Sequence, residues 1–444
     1  MRFYYILWVV VLGHGVNYSQ NQSEKFPLPN DFLWLKNEDG EIVDRLDLSY
    51  YEFLGVPQAW QLTTGKPSVL IGISDAAVDP DQTDFRGKTR VLKSTDFKNG
   101  HGMGVAAIAA AQGDNNFGIP GVCYDCGLVT TNYGNPNLEM LLELADAGAK
   151  VINCSWVSSV GTKRGQEVVD LLLKRGVVIV AGAGNQNWAT NGGQKLYYPA
   201  SYHGVISVSS GMYLHSDWQK ALKRENNGKP YVENLRGLVG RTAEINLDQP
   251  EPDFRIYPQS TATLNKEVDL LAPTVGVMRY SKWVSDQTLI YNTYQGTSTA
   301  APFVTGTIGL MFSLEPALRA NEVETILKLT AMNVDEVPGN APYQGHYGAG
   351  MLQSAAAVDL VKGLYDSQGD AMLSKQKFKR WQQSLTAFNH RVRLKNIEFT
   401  DKAEFTLQAK RQIVLMPGTR IAPDKGGYIH LSIDPNLEVE GSAP

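Results

Sequence analysis

Gly296-Thr297-Ser298-Thr299-Ala300-Ala301-Pro302 sets one serine between a glycine that frees the backbone and small residues able to open a closely packed helix. The stretch reads as a seat for a nucleophile. A serine hydroxyl attacks at neutral pH only when a base takes its proton and a third group orients that base. The reading therefore depends on partners elsewhere in the chain.

Three upstream blocks supply candidates. Ser68-Val-Leu-Ile-Gly-Ile-Ser74 is a mostly apolar run suited to a buried parallel strand, and it ends in Asp75, at the carboxyl edge where such sheets present functional groups. Asn99-Gly-His101-Gly-Met-Gly104 leads into the alanine-rich run Val105 to Ala111, which has high helix propensity and puts His101 near a helix N-terminus. Val177-Val-Ile-Val-Ala-Gly-Ala-Gly184-Asn185 is a strand running into a glycine turn and an asparagine. Each feature alone is an ordinary turn, cap or surface group. Together, in the chain order Asp, His, Ser, they match one of the three known orders of a serine triad.

With these four blocks in hand, the chain resembles the subtilases, the subtilisin-like serine peptidases, over about residues 44–364. The resemblance implies a secreted serine endopeptidase that forms an acyl-enzyme on Ser298, with His101 as base, Asp75 orienting it and Asn185 donating to the oxyanion, and with no cofactor needed for the chemistry. It implies protein or peptide substrates met along Ser155, Trp156, Val157, Gly184 and Tyr197. It also implies a three-layer α/β fold with a mostly parallel central sheet. Asp84 aligns with a family carboxylate ligand and Asp114-Asn115-Asn-Phe-Gly-Ile119 resembles a calcium loop, so a structural Ca2+ on Asp84 and Asn115 stands beside a plain polar turn.

The match is incomplete in ways that bear on the cleft. Ala76 and Ala77 follow the aspartate where subtilases carry Thr or Ser and then Gly, and Thr299 replaces the usual methionine after the nucleophile. The family's Ser-x-Gly becomes Ser155-Trp156-Val157, and Tyr197 puts a bulky ring at the expected floor of the specificity pocket. The segment from Thr131 to Leu138 is short for the edge strand that docks an extended peptide. A narrowed cleft preferring small P1 residues is the expectation. The competing reading is a weak or inactive subtilase scaffold serving as a secreted binding protein, which intact Asp75, His101, Ser298 and Asn185 argue against.

Composition agrees with a globular protein. The chain has 444 residues, 43% hydrophobic and 19% charged, with formal net charge −4. That charge offers no basic field for nucleic acid, no stretch after the leader reaches the apolar length of a membrane span, and a monomer is expected. Arg2 followed by Phe3 to Leu12 fits a signal peptide over residues 1–20, hence a secreted, periplasmic or cell-surface protein. Roughly 25 residues separate it from the core, too few for a propeptide domain. Cys123 and Cys126 could close a disulfide or remain thiols, and Cys154 reads as a small buried hydrophobe. Alternating strand-like and helical runs cover residues 44–364, interrupted by a polar insertion at about 212–264. Residues 365–390 read as a linker or helical segment, and period-two alternation over 391–444 as a small C-terminal β appendage.

Overall fold

The computed structural model describes residues 29–439 except 32–33, 37–41, 46–47, 97, 99, 187, 189–191, 216, 225–226, 240–241, 249–252, 257–261, 281–290 and 294–295. The expected leader lies outside the described residues.

Seven parallel strands form the central sheet, in the order Leu270–Pro273, Val205–Gly211, Val178–Gly182, Ala149–Cys154, Leu70–Ser74, Gly127–Thr131, Thr89–Val91. Helices cover both faces, so inner strands can be buried at every position, as Val178–Gly182, apolar throughout, and Val205–Gly211, which carries Ser207, Ser209 and Ser210, both are. Short Thr89–Val91 was not foreseen: it is an edge strand whose side chains are only part-buried, so it lacks the apolar run that marks the others. The helices His101–Ala110, Glu139–Asp146 and Lys163–Lys174 are the crossovers between successive strands. The helix Thr297–Leu314 differs from these: it is buried nearly all round, without an apolar stripe, because it threads the core between the sheet and its neighbours.

This topology gathers the site. The strand ending at Ser74 delivers Asp75 to the sheet's carboxyl edge, the strand ending at Gly182 delivers the 183–186 turn beside it, and the buried helix points its N-terminus at the same edge. Within the expected insertion, Leu222–Arg224, Pro230–Glu233, Thr242–Asn246 and Asp253–Ile256 form a four-stranded antiparallel sheet. A small core of Met212, Val232, Leu235, Leu238 and Val275 lies beside it.

The C-terminal region departs from the sequence reading. Residues expected as a linker carry strands Asp370–Ser374, Lys377–Phe378 and Gln382–Ala387, and each pairs in parallel with a strand of the next turn, Arg391–Lys395, Glu398–Asp401 and Glu404–Ala409. Ile413–Leu415, Arg420–Pro423 and Tyr428–Ile433 repeat the pattern a third time. This is a three-turn parallel β-solenoid. Alternation alone cannot separate solenoid from hairpin, because both have period two; the clue was the spacing of Phe378 and Phe399, which stack at 5.5 Å on successive turns. The solenoid shares the main core: Phe388 N–H donates to the Leu364 carbonyl at 2.8 Å, and Trp381 lies 4.3 Å below the buried ammonium of Lys328. Burial pulls that ammonium down, but Asp269, at 2.7 Å, and Glu324 outweigh it and hold it above the usual lysine range.

Cys123 and Cys126 are joined in a buried disulfide. Cys154 is free and buried; burial first, then the charge of Asp75, push its thiol up, which keeps it unreactive. Among the described residues, no helix is long and apolar enough to cross a membrane.

Candidate active site

His101 begins its helix directly after Gly100, whose φ of 79° lies in the left-handed region that glycine tolerates. Gly102 lets this helix press against the end of the Asp75 strand, since a Cβ there would stand 2.1 Å from the Ala76 carbonyl oxygen. The approach brings His101 Nδ1 to 2.6 Å from Asp75 Oδ1. Asp75 is buried, and the same oxygen accepts the Ala76 N–H at 2.6 Å. Its Oδ2 is buried without a hydrogen-bond partner among the described residues, and Ala76 and Ala77 offer it no hydroxyl. With Nδ1–H held by the carboxylate, the imidazole keeps the tautomer whose Nε2 can accept a proton.

Ser298 stands in the first turn of the buried helix. Its hydroxyl donates to the Ser155 carbonyl at 2.9 Å, and the Ser155 hydroxyl donates to the Ser298 carbonyl at 3.1 Å. A hydroxyl has one proton, so in this state Ser298 gives it to a carbonyl, and passing it to His101 requires the O–H to swing away from Ser155.

Asn185 is oriented by Thr297, the residue before Ser298. Its Oδ1 accepts the Thr297 N–H at 2.9 Å and the Thr297 hydroxyl at 3.2 Å, while that hydroxyl accepts the Gly184 N–H at 3.1 Å. These bonds consume the oxygen and leave Nδ2 without a partner among the described residues. The Ser298 N–H belongs to the first-turn donors that a helix leaves unpaired. Asn185 Nδ2 and the Ser298 N–H are thus two donors with bonds still to make at this edge of the sheet. Gly184, at φ 108°, packs against the Tyr197 ring, and a Cβ would come within 2.5 Å of it. Tyr197 donates to Gln186 Oε1 at 2.7 Å, and Gln186 N–H donates to Thr263 Oγ1 at 3.0 Å, so both bracket the Asn185 turn.

Trp156 lies across the other wall. Its indole covers Gly134 so closely that a Cβ there would sit 1.8 Å from the ring, and Nε1 donates to Ser74 Oγ at 3.2 Å. Ser74 Oγ donates in turn to the Asn132 carbonyl at 3.0 Å, tying the 132–134 segment to the strand that ends at Asp75. Val157, the next residue, is 45% exposed and so is not packed into the core.

Away from this cluster, Asp84 is buried with Asn115 Nδ2 donating to Oδ1 at 3.0 Å and the Tyr280 hydroxyl donating to Oδ2. Asp31, which nothing in its local sequence singles out, accepts the N–H groups of Asn115 at 2.8 Å, Phe117 at 3.1 Å and Asp114. Burial pushes the Asp84 carboxyl up to about 7; the bonds from Tyr280 and Asn115 pull it the other way, Asp31 raises it further, and Lys88 is the weakest influence. Gly118, at φ 67°, leaves a cradle at this point, because a Cβ would come 2.2 Å from Asp84 Oδ2. The two buried carboxylates are the oxygen donors that a hard cation takes, whereas Asn115 faces Asp84 with Nδ2 and keeps its oxygen on the Phe117 N–H at 3.0 Å, so it would have to turn over to join them. Among the described residues no three His, Cys, Asp or Glu side chains gather as a metal site, so amide and main-chain oxygens would complete such a set.

Besides Asp31, residues missed from the sequence are Thr297, Thr263, Asn153 and Thr305. Asn153, a polar residue inside the apolar run Val151 to Cys154, carried a readable signal: a buried amide in a strand needs partners.

The profile of the subtilase family matches residues 66–350. Thermitase of Thermoactinomyces vulgaris is 29% identical over 305 residues, covering 65% of this chain and 88% of thermitase. The calcium-dependent protease of Nostoc sp. is 26% identical, covering 69% of this chain and 48% of that protein, so the chain spans about half the length of that relative. Among solved structures, fervidolysin from Fervidobacterium pennivorans aligns with a TM-score of 0.49 at 21% identity, over 75% of this chain and 51% of that one.

Proposed function

Since the chain belongs to the subtilase family of serine peptidases, we propose that it is an endopeptidase in which Ser298 forms the acyl-enzyme. The 2.6 Å contact between His101 Nδ1 and the buried Asp75 carboxylate carries this reading, because it fixes the tautomer that makes Nε2 a base. Ser298 turns from the Ser155 carbonyl, gives its proton to His101 Nε2 and attacks the scissile carbonyl carbon. Asn185 Nδ2 and the Ser298 N–H receive the oxyanion. His101 then returns the proton to the departing amine nitrogen, and a water molecule activated by the same imidazole cleaves the ester.

Trp156, Val157 and Tyr197 support a narrow cleft. The bulk of Trp156 against Gly134 leaves little depth on that wall, Tyr197 presses on Gly184, and Val157 puts an exposed branched side chain where the family carries glycine. Incubation of culture medium and cell fractions with a peptide library tests these points together. Cleavage after Gly, Ala or Ser, found in the medium and abolished by Ser298→Ala, is the expected result. Efficient cleavage after Phe or Leu would overturn the narrow cleft, and activity confined to the cytosolic fraction would overturn export, for which the Cys123–Cys126 disulfide is support. No cleavage at all by folded protein would favour the binding-protein reading.

Asp31, Asp84 and Asn115 would hold a structural Ca2+, which neutralises the carboxylate pair and supplies nothing to peptide-bond chemistry. Chelation is therefore expected to lower the melting temperature by several degrees, and Asp31→Asn or Asp84→Asn to abolish the difference between calcium and chelator. A melting curve indifferent to calcium in the unmodified protein would remove the ion from this account.

A further inference from the structure

Pro302 stands four residues after Ser298, inside the buried helix. Proline has no N–H, so the Ser298 carbonyl receives no intrahelical hydrogen bond from that position. A buried carbonyl left open this way needs another donor. Here the donor is the Ser155 hydroxyl at 3.1 Å, and what points that hydroxyl is a chain of buried polar groups. Asn153 Nδ2 donates to Ser155 Oγ at 2.9 Å, which turns the Ser155 proton away from Asn153 and toward Ser298. Thr305 Oγ1 donates to Asn153 Oδ1 at 2.9 Å, sharing its proton with the Ala301 carbonyl at 3.1 Å, and so fixes which end of the amide faces Ser155.

We propose that Thr305 and Asn153 are positioning residues for the reaction: through Ser155 they set where Ser298 carries its hydroxyl and N–H. The relay has one direction, from Thr305 through Asn153 and Ser155 to the Ser298 carbonyl, and every residue before its last acceptor is buried. It also crosses elements. Asn153 sits in a strand registered between Ile73 and Val180, in the middle of the sheet, while Thr305 lies two turns along the helix that Ser298 opens. The relay therefore ties this helix to the sheet at two heights, which opposes both its sliding and its rotation. Holding the carbonyl of residue 298 restrains the orientation of that residue, and with it the direction in which the hydroxyl leaves when it turns to His101. Ser155 has a second hand in this, since its carbonyl accepts the resting hydroxyl at 2.9 Å.

The proposal rests on the peptidase reading, and the test separates the two. Thr305→Val removes the hydroxyl at nearly constant volume. In the full chain, kcat is expected to fall about 10-fold with KM within about two-fold, the rate of fluorophosphonate labelling to fall in parallel, and Thr305→Ser to restore both. Pro302→Ala gives residue 302 an N–H that competes for the Ser298 carbonyl, and should shift kcat and labelling the same way; it decides the matter if Thr305→Val fails to fold. The proposal is overturned if a folded variant keeps kcat and labelling within two-fold while only its melting temperature drops. Wild-type protein that neither labels nor hydrolyses overturns the peptidase reading and the relay with it.

Discussion

His101→Ala is expected to lower kcat by about 10⁴ or more, to abolish fluorophosphonate labelling of Ser298, and to leave the fold and KM nearly unchanged. The size follows from how little else can take the proton. Ser298's hydroxyl rests on a main-chain carbonyl, which accepts a hydrogen bond but is far too weak a base to carry the proton away. Asp75 faces Nδ1 with the one oxygen that has partners, at 2.6 Å, and has no described contact with the serine. Removing the imidazole thus leaves an alcohol of ordinary reactivity beside an intact pair of oxyanion donors, which still lend some catalysis by binding and electrostatics. Ser298→Ala should lose about as much, and the double variant His101→Ala with Ser298→Ala no more than either alone, because groups acting as a unit do not add. Labelling of His101→Ala at the wild-type rate would show that the base is another residue.

Legibility in the sequence followed the physical range of each signal. The central sheet was readable because buried parallel strands are apolar runs, and Val69 to Ser74 or Val177 to Ala181 can hardly be anything else between helical segments. The end of a strand followed by Asp75, and a glycine-flanked His101 before an alanine helix, are likewise local patterns. Asp31 could not be found this way: its partners lie 83 to 86 residues downstream, and a carboxylate in a polar N-terminal segment looks the same whether it caps a loop or floats in water. The solenoid failed for a different reason. Most of its strands from Arg391 onward were recognised, Arg420–Pro423 being missed, but parallel pairing between turns is a property of the repeat, and in the first turn the exposed Met372 between buried Ala371 and Leu373 hides the alternation. The substitution of Ala76 was legible as a departure, yet its consequence, a buried Asp75 oxygen without a donor, needed coordinates.

Asn185→Leu is expected to reduce kcat by about 10²–10³, roughly 3–4 kcal/mol of transition-state stabilisation, with KM altered only slightly. The structure gives a reason for the split between the two constants. Asn185 is exposed at the mouth of the site and its Nδ2 bonds to nothing among the described residues, so the amide has a hydrogen bond to gain only when the scissile oxygen acquires charge and moves toward it. The donor is held ready in advance: Oδ1 is anchored on the Thr297 N–H and hydroxyl, and Gly184 fixes that hydroxyl in turn. Preorganisation of this kind is what makes a single hydrogen bond worth more in the transition state than in water. Asn185→Asp provides the sharper comparison. It keeps the size and the acceptor that binds Thr297, but it replaces the outward N–H₂ with an oxygen carrying negative charge, aimed at a developing oxyanion. Its kcat should therefore fall below that of Asn185→Leu at neutral pH, because repulsion is added to the loss of a donor. If Asn185→Leu instead raised KM and left kcat alone, the amide would be binding the ground state, and the oxyanion would have to be met by the Ser298 N–H and some other group.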